Sequence, residues 1–541
     1  MKTFTSNALA LAAFLLAPLS LCAQSPSTLK SSFYTPAGAG SVDGFGSTVA
    51  LSGTLMVAGA PYDDTGAPDA GSVYIYDLAG PTPTVPVLVI HNPSPVDGDY
   101  FGFSVALSGG YLVVGAMASD ADQADAGLAY VYDLSAPAPT VPVWTLHPPS
   151  PVPGGQFGFS TAIAGSRVVV GASYAGAANE GVAYAYDLSG ASPTQPVATF
   201  THPSPAAGDQ FGYAVAISGT RVLVGAPFVD AGALNAGAAY VYDLAGATPG
   251  APSLALTNPS PSESDEFGYA VALSGPRALV GAPRKPLGVP HPGAAFAYDL
   301  GGASPANPTV TLRSPGLADG DAFGAAVALS GATALVGAPN RDVGAMDAGS
   351  VHTFNLAGAT PSTPVATITN STPLLGELFG TATALDGFTA IVGALSDTGS
   401  PGTRGASYVV GPASNDTDAD GLLDLWEYAH FGTLAGHSAQ DDADGDGTPE
   451  LLELAFDRDP LSPEPSTTPP VVIEGGYLTL TIAKRAGVTY LGQSAASPAA
   501  TFSAATTTVL IDSATTLKFR DNTLITNGGA RFLRVKVTAA P

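Results

Sequence analysis

A Phe-Gly pair returns along this chain at a nearly constant interval, and that recurrence constrains the fold more than any local propensity does. The phenylalanines are Phe45, Phe101, Phe157, Phe211, Phe267, Phe323 and Phe379, spaced 56 residues apart except for one interval of 54. After each pair comes a short alternating run such as Ser104-Val105-Ala106-Leu107, then a two-residue turn, then a second run ending in Val-Gly-Ala or a near copy. The turns are Ser52-Gly53, Ser108-Gly109, Ala164-Gly165, Ser218-Gly219, Ser274-Gly275, Ser330-Gly331 and Asp386-Gly387. Their glycines supply the positive φ of a tight hairpin. A third run follows, as in Ala129-Tyr130-Val131-Tyr132, and after a Pro-rich connection a fourth, as in Val143-Trp144-Thr145-Leu146. Four strands in each of seven units predict a mainly β chain built as a seven-bladed β-propeller, each sheet burying its faces against its neighbours.

The seventh unit lacks a fourth strand, because after Ser407-Tyr408-Val409-Val410 the sequence runs straight into an Asp-rich segment. Thr28 to Tyr34 stand ahead of the first Phe-Gly in the place of a fourth strand. The reading is therefore a ring over 28–412 closed by the N-terminal strand. The Phe-Gly start and Gly-Ala-Pro end, as in Phe211-Gly212 with Gly225-Ala226-Pro227 and Phe267-Gly268 with Gly281-Ala282-Pro283, resemble FG-GAP repeats, the unit of the integrin alpha-subunit propeller. The resemblance covers roughly residues 28 to 411 and implies a platform for extracellular recognition or adhesion. Many integrin repeats carry an Asp-rich calcium loop between the two motif strands. A bare two-residue turn takes its place here, so the resemblance brings no calcium site into the blades.

An acidic residue stands two places before the repeat Phe in six units, as Asp43, Asp99, Asp209, Asp265, Asp321 and Glu377, with Gly155 in the third. A hydrogen bond from each to local backbone in a turn is the expected role. Asp77, Asp133, Asp187, Asp243 and Asp299 read as strand ends. The loops after Gly-Ala-Pro carry Asp63 and Asp64, Asp120, Asp122 and Asp125, Asp342 and Asp347, and in the fifth unit Arg284 and Lys285. They are read as a solvated loop surface, with a binding face as the alternative. His91, His147 and His202 fall nine or ten residues before the next repeat Phe and read as equivalent turn residues. No Gly-x-Ser-x-Gly elbow and no His-Glu-x-x-His helix is present, so no catalytic residue is assigned.

The N-terminal 1–23 has Lys2, an apolar stretch from Ala8 to Leu21 and small residues near a cleavage point, the pattern of a secretory signal. The one cysteine, Cys22, lies inside it, so the mature chain forms no disulfide; a lipid anchor on Cys22 is the alternative. No later stretch has the roughly 20 apolar residues of a membrane span. With 18 basic and 44 acidic residues the formal net charge is −26, which argues against nucleic acid as a partner.

Half of that charge is concentrated between Ser414 and Glu464, which hold 14 acidic residues and one basic residue, Arg458. Asp416, Asp418, Asp420, Asp424 and Glu427 occupy places 1, 3, 5, 9 and 12 of an EF-hand-like loop, with Gly421 at 6 and the Leu422 carbonyl at 7. Asp442, Asp444, Asp446, Glu450 and Glu453 repeat the pattern, with Gly447 at 6 and the Thr448 carbonyl at 7. A hard cation surrounded by six to eight oxygens needs such a spacing, so Ca2+ is the expected cofactor of this module, 414–463. The segment resembles the EF-hand-like, dockerin-type or thrombospondin type 3 repeats of secreted proteins. No helix precedes the first loop, and Pro449 removes a backbone donor at place 8 of the second.

A Pro-rich linker, 464–470, leads to 471–541, where alternating runs such as Tyr477-Leu478-Thr479-Leu480 and Phe532-Leu533-Arg534-Val535 suggest a small β-sandwich-like domain. Seven basic residues against three acidic ones there suit contact with an anionic surface or, equally, an ordinary solvated sheet face. The expectation is a secreted or cell-surface calcium-binding protein whose propeller binds an extracellular protein or glycan and carries no catalysis. The alternatives are a secreted hydrolase with a site built from propeller loops and a structural surface-layer component.

Overall fold

The computed structural model describes residues 27–34 and 43–412, apart from 81, 289–290, 317 and 398–404, and a discontinuous set between 420 and 539. Seven four-stranded antiparallel sheets lie between 27 and 412. In the first, Val49–Ser52, Leu55–Ala60, Ser72–Asp77 and Leu88–His91 pair in chain order, and the next five repeat that order. The seventh takes Phe379–Asp386, Thr389–Ala394 and Ala406–Pro412 from its own unit and Ser27–Phe33 from the N-terminus. That last strand sets Ser32 opposite Tyr408 and Phe33 opposite Ser407. The first strands of neighbouring sheets touch all the way round, the seventh against the first included. The sheets therefore form a closed seven-bladed propeller with the first strands innermost, as the repeats and the missing seventh-unit strand lead one to expect.

The repeat motif is a device for joining one sheet to the next. Every repeat Phe has 0 % exposure. Phe101 packs among Ala50, Val57, Val73, Ile75 and Ile90 of the preceding sheet, while its ring stands edge-on to Tyr130 and Tyr132 of its own at 5.6 and 6.2 Å. Burying a side chain of that size contributes about 1.5–3 kcal/mol at each seam. The glycines of Phe-Gly and Gly-Ala-Pro meet across the same seam. A Cβ on Gly225 would lie 2.0 Å from the carbonyl oxygen of Gly268, and the same approach recurs from Gly59 against Gly102 round to Gly393 against Gly46.

A second circle of contacts lies at the hairpin-turn end of the sheets. The turn amide of Gly109 donates to Ser52 Oγ of the preceding sheet (3.1 Å), and Gly165 does the same to Ser108, Gly275 to Ser218, Gly331 to Ser274 and Gly387 to Ser330. Gly53 closes the circle by donating to Asp386 Oδ2 at 2.7 Å. Ala164, which has no hydroxyl, interrupts it between the third and fourth sheets. Ala164→Ser is expected to stabilise the propeller by about 0.5–1.5 kcal/mol, read as a higher urea midpoint at unchanged slope.

Beyond the propeller, Val472–Glu474, Tyr477–Ala483, Thr516–Asp521 and Thr507–Asp512 form a four-stranded sheet, and Val488–Ala495 pairs with Phe532–Ala539. Leu422, Ala439 and Leu454 of the acidic segment share one apolar core with Leu480, Ile482, Tyr490, Leu517 and Phe519 of these strands. The short helix Glu450–Phe456 rests against Phe532–Ala539.

Candidate functional site

At the Phe-Gly end of the sheets, five of the repeat carboxylates cap their own turns. Asp99, Asp209, Asp265, Asp321 and Glu377 each accept the backbone N–H three residues earlier, at 2.9, 2.7, 2.8, 3.3 and 3.0 Å. A side chain from the fourth strand's end adds to the cap in several units: Asn92 donates to Asp99 at 2.7 Å and Asn258 to Asp265 at 2.9 Å. His202 stands in the place of Asn92 rather than of His91. Its Nδ1 lies 3.2 Å from Asp209 Oδ2 and its Nε2 2.7 Å from the Tyr240 hydroxyl. His91 bonds to Ser72 Oγ and His147 to Asp122, both at 2.8 Å, so the three histidines do not share one environment.

The strand-end carboxylates Asp77, Asp133, Asp187, Asp243 and Asp299 each accept an N–H two residues on. In the variable loops, Asp64, Asp120 and Asp342 are exposed and accept the N–H five residues on, at 3.0, 2.8 and 2.9 Å. These serve their loops and face solvent. Asp63 and Lys285 depart from the loop-surface expectation, with exposures of 2 % and 3 %. Both stand four residues after the motif glycine, a place that turns inward beneath the loop, where sequence pattern alone does not separate it from its exposed neighbours. Burial and the nearby Asp63 and Asp64 push the Asp43 carboxyl up to about 7.

His352 stands where five of the other third strands carry tyrosine and that of the fifth sheet carries Phe296, and burial together with the Arg341 guanidinium pushes its pKa down to about 3. It is held by Thr367 Oγ1 at 3.0 Å and Ser350 Oγ at 3.1 Å. The unfolded chain, with an ordinary histidine near 6.5, then binds the extra proton first. Its stabilising contribution is complete above about pH 6.5 and falls as the pH drops toward 3, by up to about 1.4 kcal/mol per unit. His352→Tyr is expected to flatten that part of the stability profile, as measured by urea unfolding from pH 7.5 to 4.5.

The residue two places after the repeat Phe is Ser47, Phe103, Phe159, Tyr213, Tyr269, Ala325 and Thr381 in the seven units, half-buried in each. In sheets two to five the rings touch in succession: Phe103 to Phe159 at 5.3 Å, Phe159 to Tyr213 at 4.9 Å, Tyr213 to Tyr269 at 5.0 Å. Tyr174 and Phe228, from the loops after the motif, join Phe159 and Tyr213 at 6.2 and 6.0 Å. The result is an aromatic arc around part of the propeller axis. Sequence reasoning missed it, although four successive aromatics at one repeat position were there to be seen.

In the acidic segment, Asp416, Asp418 and Asp424 lie outside the described residues. Of the remaining first-loop positions, Leu422 enters the apolar core, Glu427 is buried, and Asp420 Oδ1 accepts the Leu422 N–H at 2.9 Å. The second loop is drawn together. Carboxylate oxygens of Asp442, Asp444 and Asp446 lie within 4.8 Å of one another, and their loop turns through N–H bonds from Gly445, Asp446 and Thr448 at 2.9, 3.0 and 2.7 Å. Glu453, 1 % exposed, has a buried Oε2 with no partner. Burial, then Asp444, Asp446, Glu450 and Asp442, push its carboxyl up to about 7. Loop carboxylates that repel one another, beside a buried Glu453 Oε2 without a donor, fit a hard cation. Glu450, the expected place-9 ligand, has Oε1 3.3 Å from His437 Nδ1 and a buried Oε2 with no partner.

Among the described residues, no helix is long and apolar enough to cross a membrane. In the C-terminal sheet Lys518 pairs with Glu474 at 2.8 Å, and the Arg520 guanidinium lies 4.3 Å from the Tyr477 ring centre. No curated protein matches the chain. Five segments, 34–76, 94–132, 195–242, 255–298 and 309–354, match the family model described as FG-GAP repeat. Those segments fall in units one, two, four, five and six, so the chain carries five FG-GAP repeats within a closed ring of seven four-stranded sheets, a β-propeller.

Proposed function

We propose that this is an exported or cell-surface recognition protein whose propeller binds an extracellular protein or glycan through the aromatic arc, while calcium holds the acidic module. The observation that carries this reading is the asymmetry of the arc. Seven equivalent positions have one backbone role, yet four successive ones carry touching rings and the other three carry Ser47, Ala325 and Thr381. The ring closes equally well over small side chains, so the half-buried rings are a feature beyond the needs of the fold. Flat aromatic surfaces suit the apolar faces of sugars and the side chains that dominate protein contacts. A hydrolase reading needs carboxylates free to converge, whereas five repeat carboxylates are committed to their own turns. The loop of Asp442, Asp444 and Asp446 with the buried Glu453 supports calcium, and the basic C-terminal strands suit an anionic surface.

A glycan array and a panel of extracellular matrix proteins, probed with the full chain, check the binding half. A ligand is expected whose affinity drops at least about tenfold in Tyr213→Ala, the scale of a modest hot spot. Affinity unchanged in both Tyr213→Ala and Phe159→Ala sinks the arc as the binding surface.

A further inference from the structure

At the Phe-Gly end, a neutral or positive side chain hydrogen-bonds or pairs with four of the six repeat carboxylates. Asn92 answers Asp99, His202 answers Asp209, and Asn370 answers Glu377. In the fifth sheet Asn258 is joined by Lys285, whose buried Nζ stands 2.7 Å from Asp265 Oδ2 and also donates to the Ser260 carbonyl. In the third unit the acid and its partner are both missing, replaced by Gly155 and Pro148.

The first sheet breaks this rule. The place of Asn92 falls in sequence on Pro36, which has no polar side chain. Asp43 is 2 % exposed, and its Oδ2 is buried with no partner. The place of Lys285 is taken by Asp63, also 2 % exposed, which accepts from the Tyr74 hydroxyl and the Thr65 N–H, each at 2.8 Å. The equivalence of Asp63 and Lys285 is also one of backbone, since their carbonyls accept from Gly71 and Gly293 respectively. The fifth sheet thus sets an ammonium against a carboxylate where the first sets a second carboxylate. The seventh also has an acid there, Asp397, but its Glu377 is satisfied by Asn370 and by the Leu374 N–H at 3.0 Å.

We propose that Asp43 and Asp63 form a site for a hard divalent cation of the calcium class, which takes the place filled by the Lys285 ammonium in the fifth sheet. Two carboxylates balance its charge, and a tyrosine hydroxyl stands beside them, an all-oxygen environment of the kind such ions prefer. A buried carboxylate oxygen without a donor is costly, and a cation removes that cost. The site lies at the opposite end of the sheet from the Ser52-Gly53 hairpin and is independent of the acidic module.

The test uses the full chain, equilibrated with calcium and freed of excess, with bound ions counted by elemental analysis. Asp63→Lys rebuilds in the first sheet the ion pair of the fifth, and Asp43→Asn removes one ligand charge at constant volume. Each variant is expected to hold one ion fewer than the unaltered chain. Chelator is expected to raise amide hydrogen exchange over residues 43–77 of the unaltered chain and to leave Asp63→Lys unaffected there. If Asp63→Lys does not fold, the ion count of Asp43→Asn decides. Equal counts in the unaltered chain and Asp43→Asn overturn the site, as does exchange over 43–77 that ignores chelator in the unaltered chain.

Discussion

A chain starting at residue 36 is expected to lose more than about 5 kcal/mol of propeller stability, or to fail to fold as a cooperative ring. The deleted strand carries Phe33, 2 % exposed, whose ring stands edge-on to Tyr76 at 5.0 Å. Truncating a buried Phe alone costs about 3–5 kcal/mol, and the deletion also strips the pairing partner from Ala406–Pro412. Urea unfolding of the two chains measures the loss, and a peptide of residues 24–34 added in trans is expected to restore part of it. An unchanged midpoint would show that the ring does not depend on this strand.

The second large effect is expected at the seam glycines. Gly225→Ala places a methyl group 2.0 Å from the Gly268 carbonyl oxygen, backbone against backbone, where no side chain can move aside. Overpacking of this kind costs about 1–3 kcal/mol and more when the neighbour is rigid, so a loss at or above about 3 kcal/mol is anticipated. Gly53→Ala is the control. Its Cβ would meet nothing within 4 Å, and only the positive φ of 58° opposes it, at about 1–2 kcal/mol. Denaturant midpoints of the two variants separate contact from conformation. Equal losses would mean that turn geometry, not close approach between sheets, explains the recurring glycines.

The period of the Phe-Gly pairs made the sheets, their number and their closure legible, because a strand of three to eight residues repeated in register has few places to go. The caps of Asp99, Asp209, Asp265, Asp321 and Glu377 were legible too, being bonds to N–H groups only three residues away. What escaped depends on neighbours beyond the local turn, 11 to 56 residues distant. Asp63 and Lys285 looked like loop surface, since nothing local says that the fourth residue after the motif glycine turns inward. The arc from Phe103 to Tyr269 needs the knowledge that first strands of adjacent sheets lie side by side. In the acidic segment the spacing of Asp442, Asp444, Asp446 and Glu453 was readable, while the turn of Glu450 toward His437 follows from packing of the helix on distant strands.

The pairing of Ser27–Phe33 with Ala406–Pro412 also imposes a timetable. The first-made strand of the ring waits for the last, roughly 20–75 s at a synthesis rate of about 5–20 residues per second. Throughout that wait six sheets can assemble in turn, but the circle stays open with raw edges that invite wrong partners. A chaperone that shields those edges, or transport across a membrane before the final sheet is complete, would set the yield of functional molecules more than the strength of any single blade.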